Sequence, residues 1–263
     1  MKTQIQNRLA ELEQERGIKI LYACESGSRA WGFASPDSDY DVRFIYAHEP
    51  AWYLSIHNRD ETIDLPLEGE LDLAGWDFRK ALRLFAKSNG ALLEWLHSPI
   101  VYRERREAVA LWRSLVPDIV SPKALACHYL GQCKRIWLGS LQGELVRAKH
   151  YLYALRSLLA AKWVLQRRTV PPVAFRRLLD SSDVPAPVCD AIGQLMAIKA
   201  EQDELSVLAA DPELHPFIGL QLEALEQVAR QMSSFIPESA LVDAFLQDVV
   251  RDRARPEPLC RVS

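Results

Sequence analysis

By its sequence the chain is an α+β protein: a small mixed sheet flanked by helices over residues 1–103, followed by an all-helical part over residues 104–252. Three observations predict this. Helix-period and strand-length apolar runs alternate as far as Tyr102, helical periodicity alone continues beyond it, and prolines and glycines fall where elements should end. The last stretch, RDRARPEPLCRVS, has no apolar period, so residues 253–263 are expected to be a loose tail.

Each element follows in order. Ile5, Leu9 and Leu12 recur at helical spacing before Gly17, which should stop a first amphipathic helix. Residues 18–23 are a short apolar run suited to a buried strand that ends at Glu25-Ser26-Gly27-Ser28. Residues 29–38 crowd Gly, Pro, Ser and Asp into a loop, with Trp31 and Phe33 available to pin it. Residues 39–46 form a second strand whose side chains alternate, so Asp39, Asp41, Arg43 and Ile45 share one face and Tyr40, Val42, Phe44 and Tyr46 the other. Residues 61–73 read as two more strands joined near Pro66 and Gly69, with Asp72 near the end of the second. Asp77 is a plausible N-cap for the helix of Leu82 and Phe85, and Asn89-Gly90 should end it before a shorter helix through Leu93 and Leu96. Helices are then expected from residue 104 to 115, 122 to 138 behind Ser121 and Pro122, 144 to 166, and in shorter pieces around 172–179, 187–207, 217–235 and 238–252.

Composition excludes several classes. With 49% apolar and 25% charged residues, the 263-residue chain is neither disordered nor fibrous. Its net charge of -3, from 32 basic and 35 acidic residues, offers no global attraction to nucleic acid, so an RNA partner would need a local patch. The cysteines (Cys24, Cys127, Cys133, Cys189, Cys260) are odd in number, scattered and without zinc spacing, which points to thiols in a reducing compartment. No apolar run is long enough for a membrane span and the first residues do not resemble a signal peptide, so the expectation is a cytoplasmic protein with no membrane partner.

The candidate chemistry lies in Gly27-Ser28, the loop after it, Asp39-Tyr40-Asp41, and Asp72 on a later strand. Asp-x-Asp alone is common and usually marks a turn or a solvated edge. Behind an apolar strand, a Gly-Ser pair and a loop, it places two carboxylates on one strand face beside a turn where Gly27 allows close backbone approach. Three carboxylates could hold two hard cations such as Mg²⁺ or Mn²⁺ against the phosphates of a nucleoside triphosphate. The Ser28 hydroxyl and nearby N–H groups could donate to phosphate, and Arg29 could add a charge-assisted bond.

The stretch SGSRAWGFASPDSDYDVRFIY resembles the nucleotide-binding signature of the DNA polymerase beta superfamily of nucleotidyltransferases. WDFRKALRLFAKSNGALLEWLHSPIVY and KHYLYALRSLLAAKWVLQRRTVPPVAF are similar to a branch linked to bacterial RNA repair, and the similarity spans about residues 18 to 180. The resemblance implies a polymerase-beta-like sheet with Gly27, Ser28, Asp39 and Asp41 in the motif positions and a third acid from a neighbouring strand. Asp72 is the choice for that acid, with Asp64 and Asp77 as rivals. It also implies transfer of a nucleoside monophosphate with release of pyrophosphate, an RNA end being the first acceptor considered. Nucleotidylation of a protein or small molecule, and a non-catalytic nucleotide or RNA sensor, are the alternatives.

A second constellation is Lys149, Tyr153 and Arg156, spaced to fall on one helical stripe that could bind phosphate and stack on a base where a helical domain closes over the nucleotide. The bland reading is a polar stripe with snorkelling basic ends. His97 and His128 read as structural, Cys24 has no activating neighbour, and Arg103, Arg105 and Arg106 read as a solvated cluster with nucleic-acid contact the minority view.

Overall fold

Helix α1 (Lys2–Arg16) buries Ile5, Leu9 and Leu12 and stops at Gly17, whose φ of 61° is a conformation that glycine adopts without strain. The structure, a computed structural model, describes residues 1–201, 207–233 and 235–253. After α1 come β1 (Lys19–Glu25), the short α2 (Gly27–Trp31), β2 (Tyr40–Ala47), α3 (Pro50–Tyr53), β3 (Thr62–Asp64) and β4 (Leu71–Asp77). Then follow α4 (Phe78–Ala86), α5 (Gly90–Leu96) and β5 (Val101–Glu104).

The five strands form one sheet in the order β3-β4-β2-β1-β5, with β2 and β4 parallel and the other pairs antiparallel. Alternation assigns its faces as the sequence predicts. Val42, Phe44 and Tyr46, with Leu71 and Leu73 of β4, pack against α1, whereas Ile45 enters the large core on the other side. Burying each aliphatic side chain of α1 contributes roughly 1.5–3 kcal/mol, enough to hold that helix on its face. Asp77 is the N-cap of α4, its carboxylate accepting the Arg79 N–H at 2.9 Å. Asn89 caps α5 in the same manner.

The remaining described elements are α6 (Arg106–Ser114), α7 (Val116–Ile119), α8 (Pro122–Ser140), β6 (Leu145–Arg147), α9 (Ala148–Arg167), α10 (Phe175–Asp180) and α11 (Ala186–Glu201). They end with β7 (Val207–Ala209), α12 (Leu214–Gln231) and α13 (Ser239–Arg253). Ser121 caps α8, with Pro122 in its first turn. Helix α9 is buried on nearly every side, and its alanines at 154, 160 and 161 let neighbouring helices approach closely. A single core runs from Leu21 and Tyr22 in β1 to Phe245 and Val249 in α13, so the change of secondary structure near residue 103 falls inside continuous packing.

Three expectations need correction. Strands do not cease at Tyr102: β6 and β7 pair antiparallel, joining the segment before α9 to the segment before α12. Three-residue strands carry too little alternation to be read from sequence. Asp72 lies near the start of β4, because that strand runs on to Asp77. The expected helix over 187–207 stops at Glu201 as described, and Val207 is in β7. The expected loose tail falls, from residue 254 on, outside the described residues. Among the described residues no helix is long and apolar enough to cross a membrane.

Candidate active site

β1 delivers the chain to a sharp turn at its end. The Ser26 N–H still bonds the Asp41 carbonyl at 2.8 Å, and the backbone then reverses at Gly27, whose φ is 58°. A Cβ built on Gly27 would collide with the Oδ2 of Asp41, so the glycine is required twice: for its backbone angle and for the space the carboxylate occupies. α2 starts at this turn, and buried Ser28 is its second residue.

Asp41 and Asp72 are direct partners in the parallel register of β2 and β4. Leu71 and Leu73 point into the α1 face, which puts Asp72 on the opposite face with Asp41. Their proximity is chemical as well as topological. One guanidinium nitrogen of Arg43 donates to Asp41 Oδ1 at 3.0 Å and to Asp72 Oδ2 at 2.8 Å, and the other donates to the Asp72 and Val42 carbonyls at 3.1 and 3.2 Å. Burial pushes the Asp41 carboxyl above the usual range; Arg43 lowers it, and the negative charges of Asp72 and Asp39 raise it further. Of the rivals to Asp72, Asp64 is exposed on the edge strand opposite Ala74, and Asp77 is committed to capping α4 and to the Tyr53 hydroxyl.

Asp39 stands apart from the pair. It is exposed, one residue ahead of β2, close enough for its charge to act on Asp41. Among the described residues no three acids gather as a preformed cation cage. The reason is the chain path: the residues before Tyr40 leave the sheet, and Asp39 is not held by a strand partner as Asp41 is.

Two residues stand out at the site that the motif did not mark. Glu25 is buried at the end of β1, where Oε1 accepts the Asp41 N–H at 2.9 Å and Oε2 accepts the Tyr102 hydroxyl. Burial raises its carboxyl. It thus clamps the backbone of β2 to β5. Arg43 is the second. Its alternation with Asp41 was legible, but not that its side chain folds back between the carboxylates.

The other expected ligands separate by what holds them. Arg29 donates to the Ser38 and Asp39 carbonyls at 2.6 and 3.0 Å and lies over the Tyr40 ring, so it braces the loop between α2 and β2. Arg156 is buried: it pairs with Glu94 at 2.8 Å, reaches the Val173 carbonyl and sits 4.3 Å above the Trp31 ring. Glu94 also accepts the Trp31 indole N–H at 3.1 Å. The expected phosphate ligand is therefore part of a buried strap joining α2, α5 and α9. Its stripe does face the turn. Tyr153 meets Trp31 edge-on at 5.1 Å, and a cavity of about 210 Å³ beside them is lined by Ser26, Trp95, Gln132, Arg135 and, from the stripe, Tyr153 and Arg156. Lys149 lies half-buried at the head of α9, outside that lining.

Two hard-oxygen carboxylates converging on one cationic group fit a divalent cation, since Mg²⁺ is commonly held by one or two carboxylates plus substrate oxygens.

The class is defined by family: over most of its length this is a nucleotidyltransferase-like protein of the DNA polymerase beta type. The chain belongs to the RNA repair pathway DNA polymerase beta family (RlaP), which it matches over residues 1–248. It is 40% identical over 234 residues to a Bacillus subtilis (strain 168) protein named "Uncharacterized protein YcgL", covering 89% of this chain and 90% of the relative. A solved nucleotidyltransferase-like protein from Exiguobacterium sibiricum 255-15 aligns over 97% of this chain and 82% of its own at 12% identity, with a TM-score of 0.32, a likeness too distant to bear on the fold.

Proposed function

We propose that this protein is a nucleotidyltransferase dependent on Mg²⁺ or Mn²⁺ that moves a nucleoside monophosphate from a nucleoside triphosphate to an RNA end, releasing pyrophosphate. The side-by-side register of Asp41 and Asp72 at the Gly27 turn is the observation that carries the reading. The RNA acceptor rests on the RNA repair pathway named for the family.

In this reading Asp41 and Asp72, together with Asp39 from the loop before β2, would hold the cation, which when bound would supply charge neutralisation for the phosphates and the departing pyrophosphate. Gly27 lets the main chain approach the triphosphate, and Ser28 with the neighbouring amides donates to it. The helical part closes over the nucleotide, with Tyr153 at the cavity and Lys149 at the head of the same helix. The acceptor oxygen forms a bond to the α-phosphorus as the bond from that phosphorus to the oxygen bridging to the β-phosphate breaks. The acceptor proton passes to Asp72, and pyrophosphate leaves with the electron pair.

The test is incubation with each α-labelled triphosphate, Mg²⁺ and RNA. Label is expected in RNA with stoichiometric pyrophosphate, and Asp41→Asn should lose it by at least about 100-fold, as removal of a group acting directly on the reacting centre does. An Asp41→Asn protein that keeps its rate with metal and nucleotide saturating overturns the mechanism. Label in the protein itself or in a small soluble product overturns only the RNA acceptor.

A further inference from the structure

A cation already lies between the two carboxylates, and it belongs to the protein. Arg43 follows Asp41 by two residues, so alternation puts it on the same face, opposite Ala74 in the register. The alanine leaves room beside it. The side chain leans across β4 and places its four donor contacts on Asp41, Asp72 and Val42, at distances from 2.8 to 3.2 Å. It is itself mostly shielded from solvent, with side-chain exposure of 19% against 30% and 33% for its acidic partners.

Two negative charges held in register beside each other would repel, and Arg43 offsets that repulsion. A divalent ion bridging the same oxygens would need the position that the guanidinium nitrogen now fills. Two like charges cannot both stay there. We propose that Arg43 is an internal competitor for the metal site, displaced when a divalent ion binds and free then to meet the triphosphate. This rests on the metal-dependent reading above.

Two consequences follow. The apparent metal affinity of the free protein is reduced by the fraction of molecules in which Arg43 has left the carboxylates. Nucleotide and metal should also bind cooperatively, because the evicted fork suits a phosphate and the ion suits the vacated carboxylates. Linkage makes the coupling reciprocal. Arg43 is thus a positioning residue in the free protein, keeping Asp41 and Asp72 aligned, and a brake on metal loading without substrate.

The experiment is Mn²⁺ binding by calorimetry on the full chain, for wild type, Arg43→Met and Arg43→Lys, with and without an α,β-methylene triphosphate. Arg43→Met should bind Mn²⁺ alone at least tenfold more tightly than wild type, with Arg43→Lys between them. The nucleotide should tighten Mn²⁺ binding strongly in wild type and much less in Arg43→Met. Equal or weaker binding by a folded Arg43→Met protein overturns the proposal. Should that variant not fold, the wild type alone decides it: during a Mg²⁺ titration the guanidinium NMR signals of Arg43 should shift with the midpoint of binding, and unmoved signals overturn it. Absence of binding in every protein, nucleotide included, overturns the metal-dependent reading together with this proposal, whereas equal binding in all of them overturns this proposal alone.

Discussion

Breaking the Arg156–Glu94 pair separates a structural strap from a nucleotide ligand. The pair is 2.8 Å long with side-chain exposures of 3% and 10%, and Arg156 has Val173 and Trp31 as its other neighbours. Removing one partner of such a pair strands a buried charge and costs about 3–5 kcal/mol. For a chain of this size, about 2–4 °C of melting temperature accompanies each kcal/mol, so Glu94→Gln or Arg156→Met should each lower it on the order of 10 °C. The double variant removes both charges, so it should lose less than the sum of the singles, by about 0.5–3 kcal/mol. Urea unfolding followed by tryptophan fluorescence gives all three values, and nucleotide affinity measured on the same proteins completes the set. An Arg156→Met protein within about 0.5 kcal/mol of wild type that has lost nucleotide affinity would refute the reasoning and restore the residue as a ligand.

Two further outcomes follow from the geometry. Gly27→Ala forces an αL alanine, costing about 1–2 kcal/mol, and drives a methyl group into the Asp41 carboxylate; pyrophosphate release should fall far more than stability does, and an active Gly27→Ala enzyme would contradict the described turn. Burial raises the Asp77 carboxyl, so between about pH 4 and its raised value the folded chain holds a proton that the unfolded chain releases; its contribution is full below about pH 4 and lost as pH rises through the folded value. Asp77→Asn keeps a capping oxygen without the charge. It should therefore match or exceed wild type in thermal stability near pH 7.5, the difference shrinking towards pH 4, and it should retain transfer activity that Asp72→Asn loses. A difference that grows on acidification would show the sign to be wrong.

Much of the sheet was legible because its chemistry is local. Alternation along residues 39–46 gave the faces of β2, and Gly17, Asp77 and Ser121 announced helix ends through their own backbone and side-chain preferences. What was not legible depends on partners far along the chain. Arg156 looked like one of a basic stripe, and only its burial against Glu94, 62 residues earlier, turns it inward. Glu25 read as the start of the segment that ends a strand, since nothing nearby announces that Tyr102 and the Asp41 amide meet on its two oxygens. Arg43 was placed on the correct face, but a side chain's path across a neighbouring strand follows from that neighbour's register, which one sequence does not display. β6 and β7 are too short to show a period. Asp39 was expected to stand with Asp41 because alternation was extended one residue past the point where pairing begins.

The parallel pairing of β2 and β4 has a further effect. Parallel neighbours need a crossover between them, here the segment containing α3 and β3, so the two acids come side by side only when that whole excursion has closed. The unfolded chain has no such pair to offer. Any ion or nucleotide that recognises it must therefore bind the native state alone, and its concentration will set how long this sheet survives heat.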